Sequence, residues 1–146
     1  MQSVLGDETS QWDKLLARNP DGGNVFQMSE LAETKRLNGW KPRYETVDNV
    51  AVTVLEKTIP LLGKFWYLPK GPGVANWGQL SHMLPELHRM AYENGVYVVK
   101  IEPEIRDSPE VQEVFAAAGL VHTAPVQPNA STVILDISAS LDEVMA

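Results

Sequence analysis

Cysteine is absent from the 146 residues. Disulfides, thiolate metal sites and cysteine nucleophiles are thereby excluded, which fits a reducing compartment. Long apolar runs are missing too, and no segment has the ~18 consecutive apolar residues of a membrane span. Met1–Glu8 has neither a basic start nor an apolar core, so it does not read as a secretory signal. Basic charge is scarce: 12 Lys and Arg stand against 19 Asp and Glu, a net −7. No basic stripe of the kind that marks nucleic-acid binding is visible. The expectation is a soluble cytoplasmic protein, with most of any RNA contact supplied from elsewhere.

What is present is one domain's worth of ordinary globular chain, 44% hydrophobic. Thr9 or Ser10 can cap a first short helix with Trp12, Leu15 and Leu16 on one face. A turn-rich break follows over Asn19–Asn24, then a short extended link at Val25-Phe26-Gln27. Ser29 reads as the cap of a second helix that runs to about Asn38 and ends at Gly39. Three strands are expected next, near 40–47, 50–59 and 64–68. Asp48-Asn49 makes the first turn, and both faces of the middle strand are apolar. A long helix follows, with Trp77, Leu80, Met83, Leu84, Leu87, Met90 and Ala91 at 3.6-residue spacing. Pro85 inside it predicts a kink or a late start. Val96–Ile101 reads as a central strand. Ser108-Pro109-Glu110 starts a further helix with Val111, Val114, Phe115 and Ala118 inward. Two last strands are expected near 120–124 and 131–137. Ser140-x-x-Glu143 is a capping box with only three residues after it, which predicts that 1–146 is a single domain cut from a longer protein.

This order predicts an α/β fold with a mixed, mostly antiparallel sheet flanked by helices. It resembles the acetyltransferase superfamily, whose fold splays two central strands and binds the acyl donor in the gap. That superfamily's phosphate loop falls where Lys70-Gly71-Pro72-Gly73-Val74-Ala75 stands here, with Lys in first place. Such a loop aims successive backbone N–H groups at a pyrophosphate. Pro72 and Pro69 supply none. Three readings stay open: a turn with no ligand, a cleft for another substrate, or an acetyl-CoA site.

A second resemblance rests on motifs in order along the chain. They are Trp12-Asp13, Asn19-Pro20, Phe26–Ala32 with Lys35, Gly39-Trp40, Tyr67–Pro72, Lys100–Glu104, and Gln127-Pro128 leading to Thr132–Asp136. Together they resemble the Fem family of non-ribosomal peptidyltransferases, which build the interpeptide bridge of bacterial peptidoglycan. Members move an amino acid from aminoacyl-tRNA to an amine of a muropeptide precursor, and they carry two acetyltransferase-like subdomains. The resemblance implies that this chain is the first of these, inactive by itself; the alternatives are a stand-alone acetyltransferase using acetyl-CoA and a non-catalytic binding module for cell-wall precursors. It implies that Lys35 contacts the phosphates of a UDP- or lipid-linked muropeptide and that Tyr67, Lys70, Gly71 and Pro72 line its cleft. It also implies that aminoacyl-tRNA, the donor, is held mainly by the other subdomain, and that the bacterial cytoplasmic setting extends to the inner face of the membrane. An acidic residue common after Gly-Pro in the family is missing, since Gly73–Trp77 holds no carboxylate.

No cofactor is expected. The ester of aminoacyl-tRNA is already activated, so positioning and oxyanion stabilisation can carry much of the rate. No catalytic residue is assigned. His82 and His88 are six apart and share no helix face at i,i+4 spacing, so they make no zinc signature. Glu102 and Glu104 read as a solvated strand end, and Trp40, Trp66 and Trp77 as packing residues.

Overall fold

The computed structural model describes residues 11–126. The strand expected over 131–137, the motif at Gln127–Asp136 and the capping box at Ser140 lie outside them.

Residues 11–16 form the helical turn α1, followed by the 3-10 turn Val25–Gln27, the helix α2 (Ser29–Thr34) and the 3-10 turn Lys35–Asn38. The sheet strands are β1 (Lys41–Val47), β2 (Val50–Ile59), β3 (Gly63–Leu68) and β4 (Val96–Ile101). The long helix α3 (Trp77–Glu93) joins β3 to β4, and α4 (Pro109–Ala117) follows. Strand order is β1-β2-β3-β4. The first two pairings are antiparallel and the third is parallel. The chain is thus α/β with a four-stranded mixed sheet flanked by helices.

Alternation along β2 explains the layers, because successive side chains point to opposite faces. Val50, Val52 and Val54 turn to one face, where they pack with Trp66, Leu68 and the α3 residues Leu80, Met83, Leu87 and Ala91. Ala51 meets Trp12 and Leu16 on the other face, and Leu55 packs there with Ala32 of α2 and Tyr67. The β1–β2 turn places Asp48 and Asn49 both at positive φ, 48° and 64°, a conformation that suits a two-residue hairpin and that Asp and Asn tolerate.

Several expectations change. Leu15 is exposed, so only Trp12 and Leu16 of the first helix reach the core. Val25–Gln27 is a 3-10 turn rather than an extended link, because the Asn24 side chain accepts from the Phe26 N–H. Ser29 does not cap α2. Asp13 does that work from α1: its carboxylate accepts the Ser29 N–H at 2.9 Å and the Ser29 hydroxyl at 3.0 Å. The second helix is shorter than expected and tightens into the Lys35–Asn38 turn before Gly39 at φ 77°. Pro85 does not delay α3, which begins at Trp77 under an Asn76 cap and runs through it. Ala118 is exposed.

Among the described residues Val96–Ile101 has one strand neighbour, β3, and its Tyr97 and Val98 are exposed. Residues 120–124 form no strand. That segment is held to β4 by side chains instead: Lys100 Nζ donates to Thr123 Oγ1 and to the Ala124 carbonyl.

Candidate substrate-binding site at the strand ends

The site begins with a defect in the sheet. β3 covers β2 only from Leu55 to Ile59, so the backbone of Ala51 and Thr53 has no strand partner on that side. Two side-chain amides replace it. Asn19 Oδ1 accepts the Ala51 N–H at 2.9 Å, and its Nδ2 donates to the Ala51 carbonyl at 2.8 Å. Gln27 Oε1 accepts the Thr53 N–H at 2.8 Å, and its Nε2 donates to the carbonyls of Thr53 (3.3 Å) and Pro69 (2.6 Å). An amide presents one donor face and one acceptor face, as a strand residue does. Both side chains are buried, Gln27 completely. The Thr53 hydroxyl completes the seam: it donates to the Gln27 carbonyl and accepts from Trp12 Nε1 at 3.0 Å.

This seam explains the glycine loop. A Cβ on Gly71 would lie 2.8 Å from Gln27 Nε2, and one on Gly73 would lie 2.6 Å from Asn19 Nδ2. The loop is glycine-rich because it packs on the two amides. Three of its N–H groups are consumed inside the protein. Gly71 donates to the Leu68 carbonyl, Val74 to the Pro72 carbonyl and Ala75 to Gln79 Oε1. Gly71 through Val74 are buried, and the Gly71–Pro72 bond is cis.

The strands beside the loop stay closed. β3 and β4 remain paired to Leu68↔Ile101, and the Glu102 N–H then donates to the Gly71 carbonyl at 2.9 Å. The splayed gap expected of an acetyltransferase is therefore not found among the described residues.

Above this closure lies a polar cluster, at the carboxyl ends of two parallel strands, where open α/β sheets collect ligands. Tyr67 is buried, and its phenol donates to Glu102 Oε2 at 2.6 Å. Glu102 Oε1 accepts the Val126 N–H and sits 3.7 Å from Lys100 Nζ. With its side chain 13% exposed, Glu102 is no solvated strand end. Glu104 is the outward carboxylate. It takes a hydrogen bond from Asn24 Nδ2 at 2.8 Å and faces Lys70 Nζ at 3.9 Å. Glu102 is engaged on both oxygens and positions Tyr67. Lys70 and Glu104 form a loose pair at the rim, able to meet an anion and an amine respectively.

The structure brings Tyr67, Lys70, Gly71 and Pro72 together, and it adds Glu102, Glu104 and Asn24. Gly71 and Pro72 contribute backbone to the floor. Lys35 is not among the groups that touch them. It follows α2, which advances about 9 Å at 1.5 Å per residue. Its carbonyl accepts from the Trp40 N–H. The Trp40 ring in turn lies 6.2 Å from the Tyr67 ring. Trp40 thus lies between the Lys35 backbone and the Tyr67 ring. Of the other tryptophans, Trp66 is wholly buried with its Nε1 donating to Glu56 at 2.9 Å, and Trp77 packs on Phe115. His82 contacts Asp48, 3.2 Å away.

A scan against protein-family models matches none, and a search of curated proteins finds no match.

One signal could have found some of the missed residues. Glu102 and Glu104 alternate after a strand, which puts Glu102 and Lys100 on one side of it. Asn19 and Gln27 are amides flanking turn residues beside a strand whose odd positions include a threonine, but no local rule ties them to its backbone.

Proposed function

We propose that this chain is the acceptor-binding, acetyltransferase-like subdomain of a Fem-type peptidoglycan aminoacyltransferase. Its substrate is a UDP- or lipid-linked muropeptide. The observation that carries the reading is the Lys70–Glu104 pair beside Tyr67, at the ends of the parallel strands and above a loop in which the Gly71, Val74 and Ala75 N–H groups are already used. A stem peptide carries both carboxylates and an amine. Lys70 suits the former as a point charge and Glu104 the latter. Lys35, as a point charge, suits the diphosphate at the far end of the same long ligand.

In the whole transferase the acceptor amine attacks the ester carbonyl of aminoacyl-tRNA, and the ribose hydroxyl leaves with a proton. This subdomain supplies position rather than a nucleophile. The same loop is poorly suited to acetyl-CoA, because a pyrophosphate would find few N–H donors there. The absence of a cofactor and the bacterial cytoplasmic setting belong to this proposal. Among the described residues no helix is long and apolar enough to cross a membrane.

Calorimetric titration with UDP-muropeptide tests the reading. Saturable binding is expected. Lys70→Ala and Lys35→Ala should each weaken it about 10-fold, the value of one charge-assisted contact, without lowering the melting temperature. Equal affinity in both variants, or saturable acetyl-CoA binding in place of muropeptide, refutes it.

A further inference from the structure

The opposite end of β3 carries an unusual surface. The β2–β3 hairpin turns through Pro60, Leu61 and Leu62, and both leucines are exposed, at 106% and 60%. Leu61 has φ 68°, a region in which L side chains are rarely found and where Gly or Asn would fold better. Stability therefore does not select a leucine there. Leu37, 90% exposed, lies on the turn that enters β1 at this same end, where Lys41 pairs with Glu56 three residues before β2 ends. Trp40 ties the two segments together: its ring packs 5.9 Å from Phe65 and under Lys57 Nζ at 5.2 Å.

Charge is segregated here as well. Residues 35–41 and 57–64 hold five of the chain's 12 Lys and Arg and none of its 19 Asp and Glu. Arg36 is bound to Glu33, and Lys64 faces the buried Glu56. Lys41 and Lys57 are exposed. The two segments are separated in sequence, which is why no basic stripe is visible before folding.

We propose that this end is a peripheral docking surface for an anionic lipid membrane. Leu61 and Leu62 enter the boundary between headgroups and acyl chains, and Lys41 and Lys57 lie against the anionic headgroups. Lysines alone would serve a phosphate backbone, but the exposed leucines at the tip would gain nothing from one. A single strand would find no open aromatic face to stack on, since Trp40 is already packed against Lys57 and Phe65. The surface lies at the other end of β3 from Lys70 and Glu104, and its four working residues, Leu61, Leu62, Lys41 and Lys57, are none of those assigned to the acceptor site, although Lys35 and Trp40 border both.

Cosedimentation with phosphatidylcholine vesicles, with and without phosphatidylglycerol, tests the proposal, with tRNA binding measured in parallel. The protein should partition onto the phosphatidylglycerol vesicles, less so as salt rises. Leu61→Asn with Leu62→Ser should lower partitioning about 10-fold or more. The same variant should melt no lower than the parent, because Asn suits the left-handed position. Lys41→Gln with Lys57→Gln should remove the dependence on phosphatidylglycerol. The proposal is overturned if the parent ignores the vesicles, or if the leucine variant partitions as the parent does. It also falls if the lysine variant loses tRNA binding while vesicles play no part. Titration of the same variants with UDP-muropeptide separates the outcomes, since none of the four substituted residues belongs to the acceptor site.

Discussion

Gln27 and Gly71 form the contact on which the loop over the site depends, and their coupling can be measured. Gln27→Ala removes three hydrogen bonds: from the Thr53 N–H, to the Thr53 carbonyl and to the Pro69 carbonyl. Each buried group left without a partner costs about 1–3 kcal/mol. A loss of about 3–5 kcal/mol is expected, a large part of the ~5–15 kcal/mol that holds a domain folded. The melting temperature should fall by about 10 °C. Gly71→Ala puts a methyl 2.8 Å from Gln27 Nε2 and 2.9 Å from its Cδ. Gly71 is not at positive φ, so the backbone adds no penalty of its own. The amide is held by its three bonds and cannot retreat, and overpacking of this kind costs about 1–3 kcal/mol. In the Gln27→Ala background the obstacle is gone, so Gly71→Ala should cost less than about 0.5 kcal/mol. Urea unfolding of the parent, both single variants and the double variant reads the coupling, expected near 1–2 kcal/mol. Strict additivity would show that Gly71 is glycine for some other reason, and the account of the loop would fail.

Other perturbations probe the same framework. Burial alone would raise the Glu56 pKa, but the Trp66 N–H, Lys64 and Arg43 outweigh it and hold the carboxyl below its ordinary value. A group with a lowered folded pKa adds stability that is present above its unfolded pKa and lost as pH falls through the folded value. Glu56→Gln should therefore cost about 1–3 kcal/mol at neutral pH, and the gap from the parent should close below about pH 4; a gap that persists in acid would remove the charge from the explanation. Pro85 sits exposed within α3 and cannot donate to the Ser81 carbonyl. Pro85→Ala should raise stability by about 1–3 kcal/mol in thermal unfolding, and a lower melting temperature would mean that the ring is needed. Tyr67→Phe should cost about 1.5–3 kcal/mol through its lost bond to the Glu102 carboxylate, and an unchanged melt would deny Glu102 its positioning role.

Much of the fold was legible where period and punctuation agree. The alternation of β2, the Asp48-Asn49 turn and the Ser108-Pro109 start each state one local rule, and the structure follows it. Misreadings arose where a residue answers to a distant partner. Ser29 looks like a cap, but its hydroxyl donates to Asp13, sixteen residues earlier. Glu102 looks solvated, but the buried phenol of Tyr67 is bonded to it from β3. Leu15 follows the helical period and still stays outside, because α1 meets the sheet through Trp12 and Leu16 alone. In the site, Lys70 and Tyr67 were readable as residues at a strand end, whereas Asn24, Glu102 and Glu104 come together only when the loops after α1 and β4 meet.

The glycine loop shows how one pattern serves two opposite ends. A phosphate cradle needs glycines so that N–H groups face outward to a ligand without obstruction by side chains. Here the glycines are needed because Asn19 and Gln27 approach from inside. The two cases differ in where the N–H groups go, and in this chain Gly71, Val74 and Ala75 all donate to the protein itself. The amides that occupy the glycines also replace the missing strand beside Ala51 and Thr53. Opening the loop to receive a pyrophosphate would break that seam and leave buried backbone groups unpaired on β2, at about 1–3 kcal/mol for each. Under the proposed reading a ligand therefore meets Lys70 and Glu104 above a closed sheet, not a gap between strands. Gly73→Ala, which would press on Asn19 Nδ2 at 2.6 Å and Asp21 Oδ1 at 2.7 Å, should lower stability by about 1–3 kcal/mol and leave acetyl-CoA binding unmeasurable in parent and variant alike. Were the parent to bind the coenzyme and the variant to lose it without loss of stability, the loop would be a cradle after all.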